Sequence, residues 1–341
     1  MKNLKSNLIT GLLCLFTISV SLVSCNDDDT ASTGGPVIES ISLAQNDSLV
    51  EYGFADNMYI IRGKGFSNTQ KIYFNETDTY FNSNFVTDNV ILVTIDRKTP
   101  YENASDELRI VTPKGTVTYS FVVAPPAPGI QSFNPINAAP GDVVTISGSY
   151  FLDPAVDFGG IPAEVVSSTI DEIKVIMPEG ANHKYLNVTT ISGKNSSWEA
   201  VGTALYDDVW YNGWADEGDN VSYIPSLDSR QGGVYMKIEN GAWSGKQFHD
   251  VAWSTVDISA YKGIRFSIRG EKVGKIAVII NGNWNDSDSI PVTITTEWKD
   301  VEIPFSQFPF EVTGLQTLVI KEFTGTASVY HVDDIGFVLK D

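Results

Sequence analysis

Cysteine is almost absent from this chain. It has two, Cys14 and Cys25, both within the first 25 residues. Beyond them no disulfide framework and no thiol chemistry is available. Histidine is nearly as scarce. His183, His249 and His331 are scattered and have no cysteine neighbours, which excludes a zinc or haem motif. Positive charge is the third shortage: 23 Lys and Arg stand against 42 Asp and Glu, a net charge of −19. Such acidity excludes nucleic acid as a partner and disfavours polyanionic glycans. No segment sustains a 3.6-residue apolar period, so long amphipathic helices are excluded too. Tryptophan is missing from the first 197 residues and then occurs seven times.

The first residues form a processing segment. Lys2 and Lys5 supply the positive end, and Leu8 to Val20 an apolar run too short to cross a bilayer comfortably. Leu22-Val23-Ser24-Cys25 resembles a lipobox, which implies a signal peptide over 1–24 and a lipid on the Cys25 sulfur. Asn26-Asp27-Asp28-Asp29 then opens an acidic tether over 25–36. It is similar to the acidic export signal of Bacteroidota surface lipoproteins; a plain solvated spacer has the same composition.

What is present is β-forming. Short runs rich in Val, Ile, Thr, Phe and Tyr are broken by Gly, Pro, Asn and Asp, as in Tyr59-Ile60-Ile61-Arg62-Gly63 and Val90 to Ile95. The expected class is all-β. An internal repeat divides the first part. Ile38-Glu39-Ser40-Ile41 is echoed by Ile130-Gln131-Ser132-Phe133, and Met58 to Phe66 by Val143 to Phe151. Residues 37–123 and 130–203 thus form two copies of one small sandwich. Ala124 to Gly129 is a proline-rich hinge between them, semi-rigid because its φ angles are fixed. Phe133-Asn134-Pro135, Pro140-Gly141-Asp142, Ile146-Ser147-Gly148 and Phe158-Gly159-Gly160 in the second copy resemble an immunoglobulin-like IPT/TIG domain. The first copy lacks the Pro-Gly-Asp turn and matches less completely.

Residues 204–341 form a third domain. Three motifs in it, Val256 to Phe266, Glu297 to Phe308 and Val332 to Phe337, resemble galactose-binding-like jelly rolls. The expected architecture is therefore two tandem IPT/TIG β-sandwiches followed by a jelly-roll β-sandwich. Together with the lipobox and acidic spacer, this order resembles the surface glycan-binding lipoproteins of Bacteroidota polysaccharide-utilisation systems. That resemblance implies a place on the extracellular face of the outer membrane, held by the lipid anchor, beside an outer-membrane transporter complex. It also implies that the last domain carries the sugar site and that the repeats project it outward.

The residues make the same case by chemistry. A pyranose has one apolar C–H face and a ring of hydroxyls, so it suits an aromatic platform with planar polar groups beside it. Covering half an indole, about 100 Å², contributes roughly 2 kcal/mol. Trp243 in Asn240-Gly241-Ala242-Trp243-Ser244-Gly245 and Trp284 in Asn281-Gly282-Asn283-Trp284-Asn285 lie in loops that cannot easily bury an indole, and are the leading platforms. Trp253 stands between platform and core. Trp210, Tyr211 and Trp214 line a rim or pack against the second repeat. Asn281, Asn283 and Asp250 are the candidate hydroxyl partners, although turn chemistry also explains them. Trp298 is expected in the core.

No cofactor is expected apart from a structural calcium at Asn283 to Ser289, an oxygen-rich loop whose spacing matches no defined cage. The expected function is non-catalytic capture of a neutral plant or microbial polysaccharide, with β-glucan the leading candidate. One rival is a glycoside hydrolase, which needs two carboxylates about 5–9 Å apart; Glu297, Glu302, Asp333 and Asp334 are available. The other is a surface adhesin whose aromatics bind a protein, an interface that would favour Met, Leu and Arg.

Overall fold

A computed structural model describes residues 34–340. The signal segment, Cys25 and nearly all of the acidic tether lie outside the described residues. Among the described residues there are thirty β-strands, three short 3-10 turns and no α-helix.

The first unit packs two four-stranded antiparallel sheets over a core that includes Tyr59, Ile61, Ile72, Phe74, Leu108 and Phe121. The second repeats it around Phe133, Val144, Ile146, Phe158, Val175 and Leu186. The likeness reaches local irregularities. Val37–Leu43 slips register between Ile38 and Ser40, and Gly129–Asn134 slips between Ile130 and Ser132. Opposite each slip lies a glycine that the two sequences share. A Cβ on Gly63 would stand 1.9 Å from the Val37 carbonyl oxygen, and one on Gly148 2.0 Å from that of Gly129. Only a residue without a side chain lets the strands approach there.

One edge differs. In the second unit Glu164–Ser168 pairs with Glu172–Ile176 and closes the sheet. The first unit has a loop and the 3-10 turn Ser83–Phe85 at that place, with only a Val86–Ile91 bridge to the sheet.

The third unit is a larger antiparallel sandwich. Its seven-stranded sheet is centred on Ser328–Leu339, which pairs with Ala204–Asp207, Val234–Asn240 and Tyr261–Gly270. The opposing five-stranded sheet runs Trp214–Asp216, Gly245–Asp250, Thr317–Glu322, Gly274–Ile280, Ile290–Ile294. Met236, Ile238, Phe248, Phe266, Val278 and Ile320 help fill the space between them.

The second and third units share a buried polar junction. Asp207 accepts from the Ile136 amide at 2.6 Å, and Asp208 accepts from the Asn134 side chain at 2.7 Å and the Val234 amide at 2.6 Å. Arg265, fully enclosed, pairs with Asp334 and donates to the Thr203 hydroxyl at 2.9 Å. Arg230 forks onto Asp300 and reaches the Gln131 carbonyl of the second unit. Paired and hydrogen-bonded in this way, the buried charges hold one relative placement of the two units.

The structure corrects the expectation for Trp298. The indole is half-buried on the outer face of the seven-stranded sheet, because Val301 and Ile303 occupy the inward positions of that run. Its Nε1 donates to the Asp228 carbonyl at 2.7 Å, and the Arg269 guanidinium lies 4.7 Å from its ring.

Candidate functional site

Strand alternation gives the five-stranded sheet an outer face. Phe248, Leu318, Ile320, Ile276 and Val278 point into the core, so Gln247, His249, Val319, Ala277 and Ile279 point away from it. Three loops leave this sheet at 241–244, 251–260 and 281–289, and each carries one tryptophan. Trp243, Trp253 and Trp284 are 55%, 48% and 49% exposed. They are the exposed indoles among the described residues, and each lies on a loop next to a strand of this sheet, Trp243 before Gly245–Asp250, Trp253 after it and Trp284 after Gly274–Ile280.

Each is held by its own local structure. The Trp243 amide donates to Glu322 Oε2 at 3.0 Å. The same carboxylate accepts from the Gly325 amide at 2.9 Å and from both the amide and the hydroxyl of Thr324. Burial works against the charge on Glu322, but the hydrogen bonds from Thr324, Trp243 and Gly325 outweigh it and hold the carboxyl below its usual range. The indole meets Phe323 edge-on at 5.8 Å and lies against Gly325, where a Cβ would come within 2.9 Å of it.

Trp253 donates its amide to the Asp250 carbonyl at 2.8 Å, and its own carbonyl accepts from Gln316 Nε2 at 2.6 Å. Its ring stacks on His249, with centroids 4.1 Å apart and planes 20° apart. Trp284 sits on a loop that Asp286 ties to Lys321 at 3.1 Å. Trp243 and Trp253 both have positive φ, 60° and 57°. For residues this bulky the left-handed region is strained, and strain of this kind persists where surrounding contacts enforce it. Here Glu322 and Asp250 supply those contacts.

The remaining expected site residues are distributed less simply. Trp214 is a correction: at 2% exposure it is part of the core and offers no platform, because its strand turns it inward beside Phe248. Trp210 is half-buried against Phe248 and Tyr206, with its Nε1 on the Tyr223 hydroxyl at 2.6 Å. Tyr211 packs on the core of the second unit and bonds Asp207, so it belongs to the junction. Asn281 is also corrected as a hydroxyl partner, since its Nδ2 donates to the Gly314 carbonyl at 2.7 Å and its Oδ1 accepts from the Gln316 amide at 2.8 Å. Asp250 Oδ1 accepts from the Ala252 and Ser254 amides at 2.9 and 3.1 Å and shapes the Trp253 loop. Asn283 is half-buried beside Trp284. Glu322 escaped the sequence reading because its partner Trp243 lies 79 positions away.

The carboxylates considered for hydrolysis do not stand beside these tryptophans. Asp333 and Asp334 are enclosed on the other sheet, where Asp333 accepts from the Arg230 and Gln231 amides at 2.9 Å and Asp334 faces Arg265. Glu297 and Glu302 are exposed along a different strand and its approach. In the 283–289 loop Asp286 engages Lys321 and Asp288 the Asn285 amide group at 3.1 Å. Among the described residues no group of three or more His, Cys, Asp or Glu is arranged to hold a metal.

Comparison with known proteins gives these observations a family context. Residues 128–204 match the model of the IPT/TIG domain, and residues 183–338 match that of carbohydrate binding domain 30. The chain carries an IPT/TIG domain and a carbohydrate-binding domain. The two matches overlap across Tyr185–Thr190 and Gly193–Ala200, strands of the second unit that lead directly into the shared junction. An IPT/TIG domain-containing protein of Bacteroides ovatus is 32% identical over 208 residues, covering 55% of this chain and 39% of that relative. The chain thus spans about two fifths of that relative's length. The crystal structure of surface glycan-binding protein PbSGBP-B from Prevotella bryantii is 18% identical, covers 90% of this chain and 99% of its own, and superposes with a TM-score of 0.50. SGBP-B from a complex xyloglucan utilization locus in Bacteroides uniformis is 16% identical, with coverage of 90% and 100% and a TM-score of 0.37. At these identities the likeness to PbSGBP-B supports the architecture, while the ligand of the carbohydrate-binding domain has to be argued from its own surface.

Proposed function

We propose that this protein is a non-catalytic surface glycan-binding lipoprotein. It is anchored through Cys25 on the extracellular face of the outer membrane and captures a neutral polysaccharide, with β-glucan the leading candidate, beside an outer-membrane transporter. The observation that carries the reading is that the three exposed tryptophans, Trp243, Trp253 and Trp284, all stand on loops next to strands of the five-stranded sheet, two of them held in a strained backbone conformation. Each half-covered indole contributes roughly 2 kcal/mol on stacking with a sugar. Two or three of them, less the cost of ordering the glycan, give micromolar to millimolar affinity. The loops around them supply Asn, Gly and Ser in place of the Met and Arg that a protein interface favours. This composition supports a sugar over a protein partner.

The test is affinity electrophoresis through a panel of polysaccharides, repeated with Trp243→Ala, Trp253→Ala and Trp284→Ala. Retardation by at least one neutral glycan, reduced about tenfold or more by each substitution, is expected. Unchanged mobility in all three variants would remove these tryptophans as the site. Release of new reducing ends would replace capture with hydrolysis.

A further inference from the structure

The two repeats share most of their strands, and at the edge where a loop of the first unit stands in place of Glu164–Ser168 the exchange is chemically specific. Residues 163–171 of the second unit contain the closing strand and no aromatic residue. In the corresponding place, residues 79–87 of the first unit read Thr-Tyr-Phe-Asn-Ser-Asn-Phe-Val-Thr, without a single charge in a chain of net charge −19. Phe81 and Val86 pack against the first unit's core and pin the loop. Asn82 caps the 3-10 turn, its side-chain oxygen accepting from the Asn84 amide at 3.0 Å. So held, the loop presents Tyr80 at 82% exposure and Phe85 at 48%. Aromatics displayed on a pinned loop of Asn and Ser repeat the composition of the tryptophan loops of the third unit.

We infer that this loop is a second glycan-contact site, in which Tyr80 and Phe85 stack on apolar faces of neutral pyranose rings and the Asn82 and Asn84 amides meet their hydroxyls. The inference rests on the glycan-binding reading of the third unit. The absence of charge matches a neutral ligand, and the paired ring and amide chemistry matches a sugar better than the free sheet edge matches a strand from another protein. A polymer held at the third unit's tryptophans then meets the second site intramolecularly. Such linkage raises retention on long chains without raising affinity for short ones.

The experiment uses the full chain, soluble mixed-linkage β-glucan and a tetrasaccharide cut from it. In the Tyr80→Ala/Phe85→Ala variant, the polymer dissociation constant is expected to rise about tenfold or more. Tetrasaccharide binding at the third unit's tryptophans should stay within about twofold of wild type. Added to Trp243→Ala/Trp253→Ala, the same pair should abolish the residual polymer retention. Hydroxyl-radical footprinting of the unaltered protein should show Tyr80 protected by the polymer. If Tyr80→Ala/Phe85→Ala leaves retention unchanged on both backgrounds, or Tyr80 is unprotected, the second site is overturned and the tryptophan site of the third unit stands. A wild-type protein that neither β-glucan nor any other polysaccharide of the panel retards overturns the glycan reading itself.

Discussion

The carboxylate of Glu322, closed off from solvent, receives the backbone amide of Trp243 at 3.0 Å. One acid thereby joins the loop at 241–244 to the turn at 323–325 and decides where an exposed indole stands. In the proposed site Trp243 would supply the sugar-facing surface, and Glu322 would fix its geometry without touching the sugar.

Glu322→Gln tests that division. The replacement amide carries no charge and offers N–H groups where the carboxylate accepted bonds from Trp243, Thr324 and Gly325. Hydrogen bonds to a charged group contribute about 1.5–3 kcal/mol each, so a loss of a few kcal/mol of stability is expected. Glycan affinity should fall as far as in Trp243→Ala, measured by calorimetry on the folded protein below its melting transition. Glycan affinity equal to wild type would show that the clamp does not position the ring.

Trp214 and Trp243 are expected to separate stability from binding. Trp214 is enclosed beside Phe248 in the third unit's core, so Trp214→Ala leaves a cavity and should cost about 3–5 kcal/mol. Trp243→Ala removes an exposed ring and should leave the thermal transition nearly unchanged. Thermal melts paired with affinity gels read both effects. The opposite pattern would mean that these two indoles have been given each other's roles.

The junction of the second and third units makes stability depend on pH. Burial, with the nearby Asp334 carboxylate adding to it, pushes the Glu199 carboxyl up to about 8. Burial likewise raises Asp207 to about 7. The native state therefore keeps protons that the unfolded chain releases near its ordinary carboxylate value. This contribution is complete below about pH 4.5 and is lost as the pH rises toward 8. Glu199→Gln should flatten that decline in denaturant titrations between pH 5 and 8. An unchanged slope in the variant would remove Glu199 as its source.

Much of the architecture was legible in the sequence because β-sandwiches advertise themselves locally. Alternating apolar runs, the echo of Met58–Phe66 in Val143–Phe151 and the absence of helical periodicity all pointed to stacked β units. The Gly- and Asn-rich surroundings of Trp243 and Trp284 likewise pointed to loops, and loops they occupy. Trp298 and Trp214 went the other way. The first sits in a fold motif yet faces outward, and the second sits in an acidic, Gly-containing run yet is enclosed.

By itself, then, the sequence determined the strand content, the repeat and the segment that holds the tryptophans, since these follow from side-chain chemistry and its period. Tertiary structure alone decided which indoles face water. That outcome depends on strand register, on which sheet covers which, and on acceptors such as Glu322 that meet their partners only after the chain has folded.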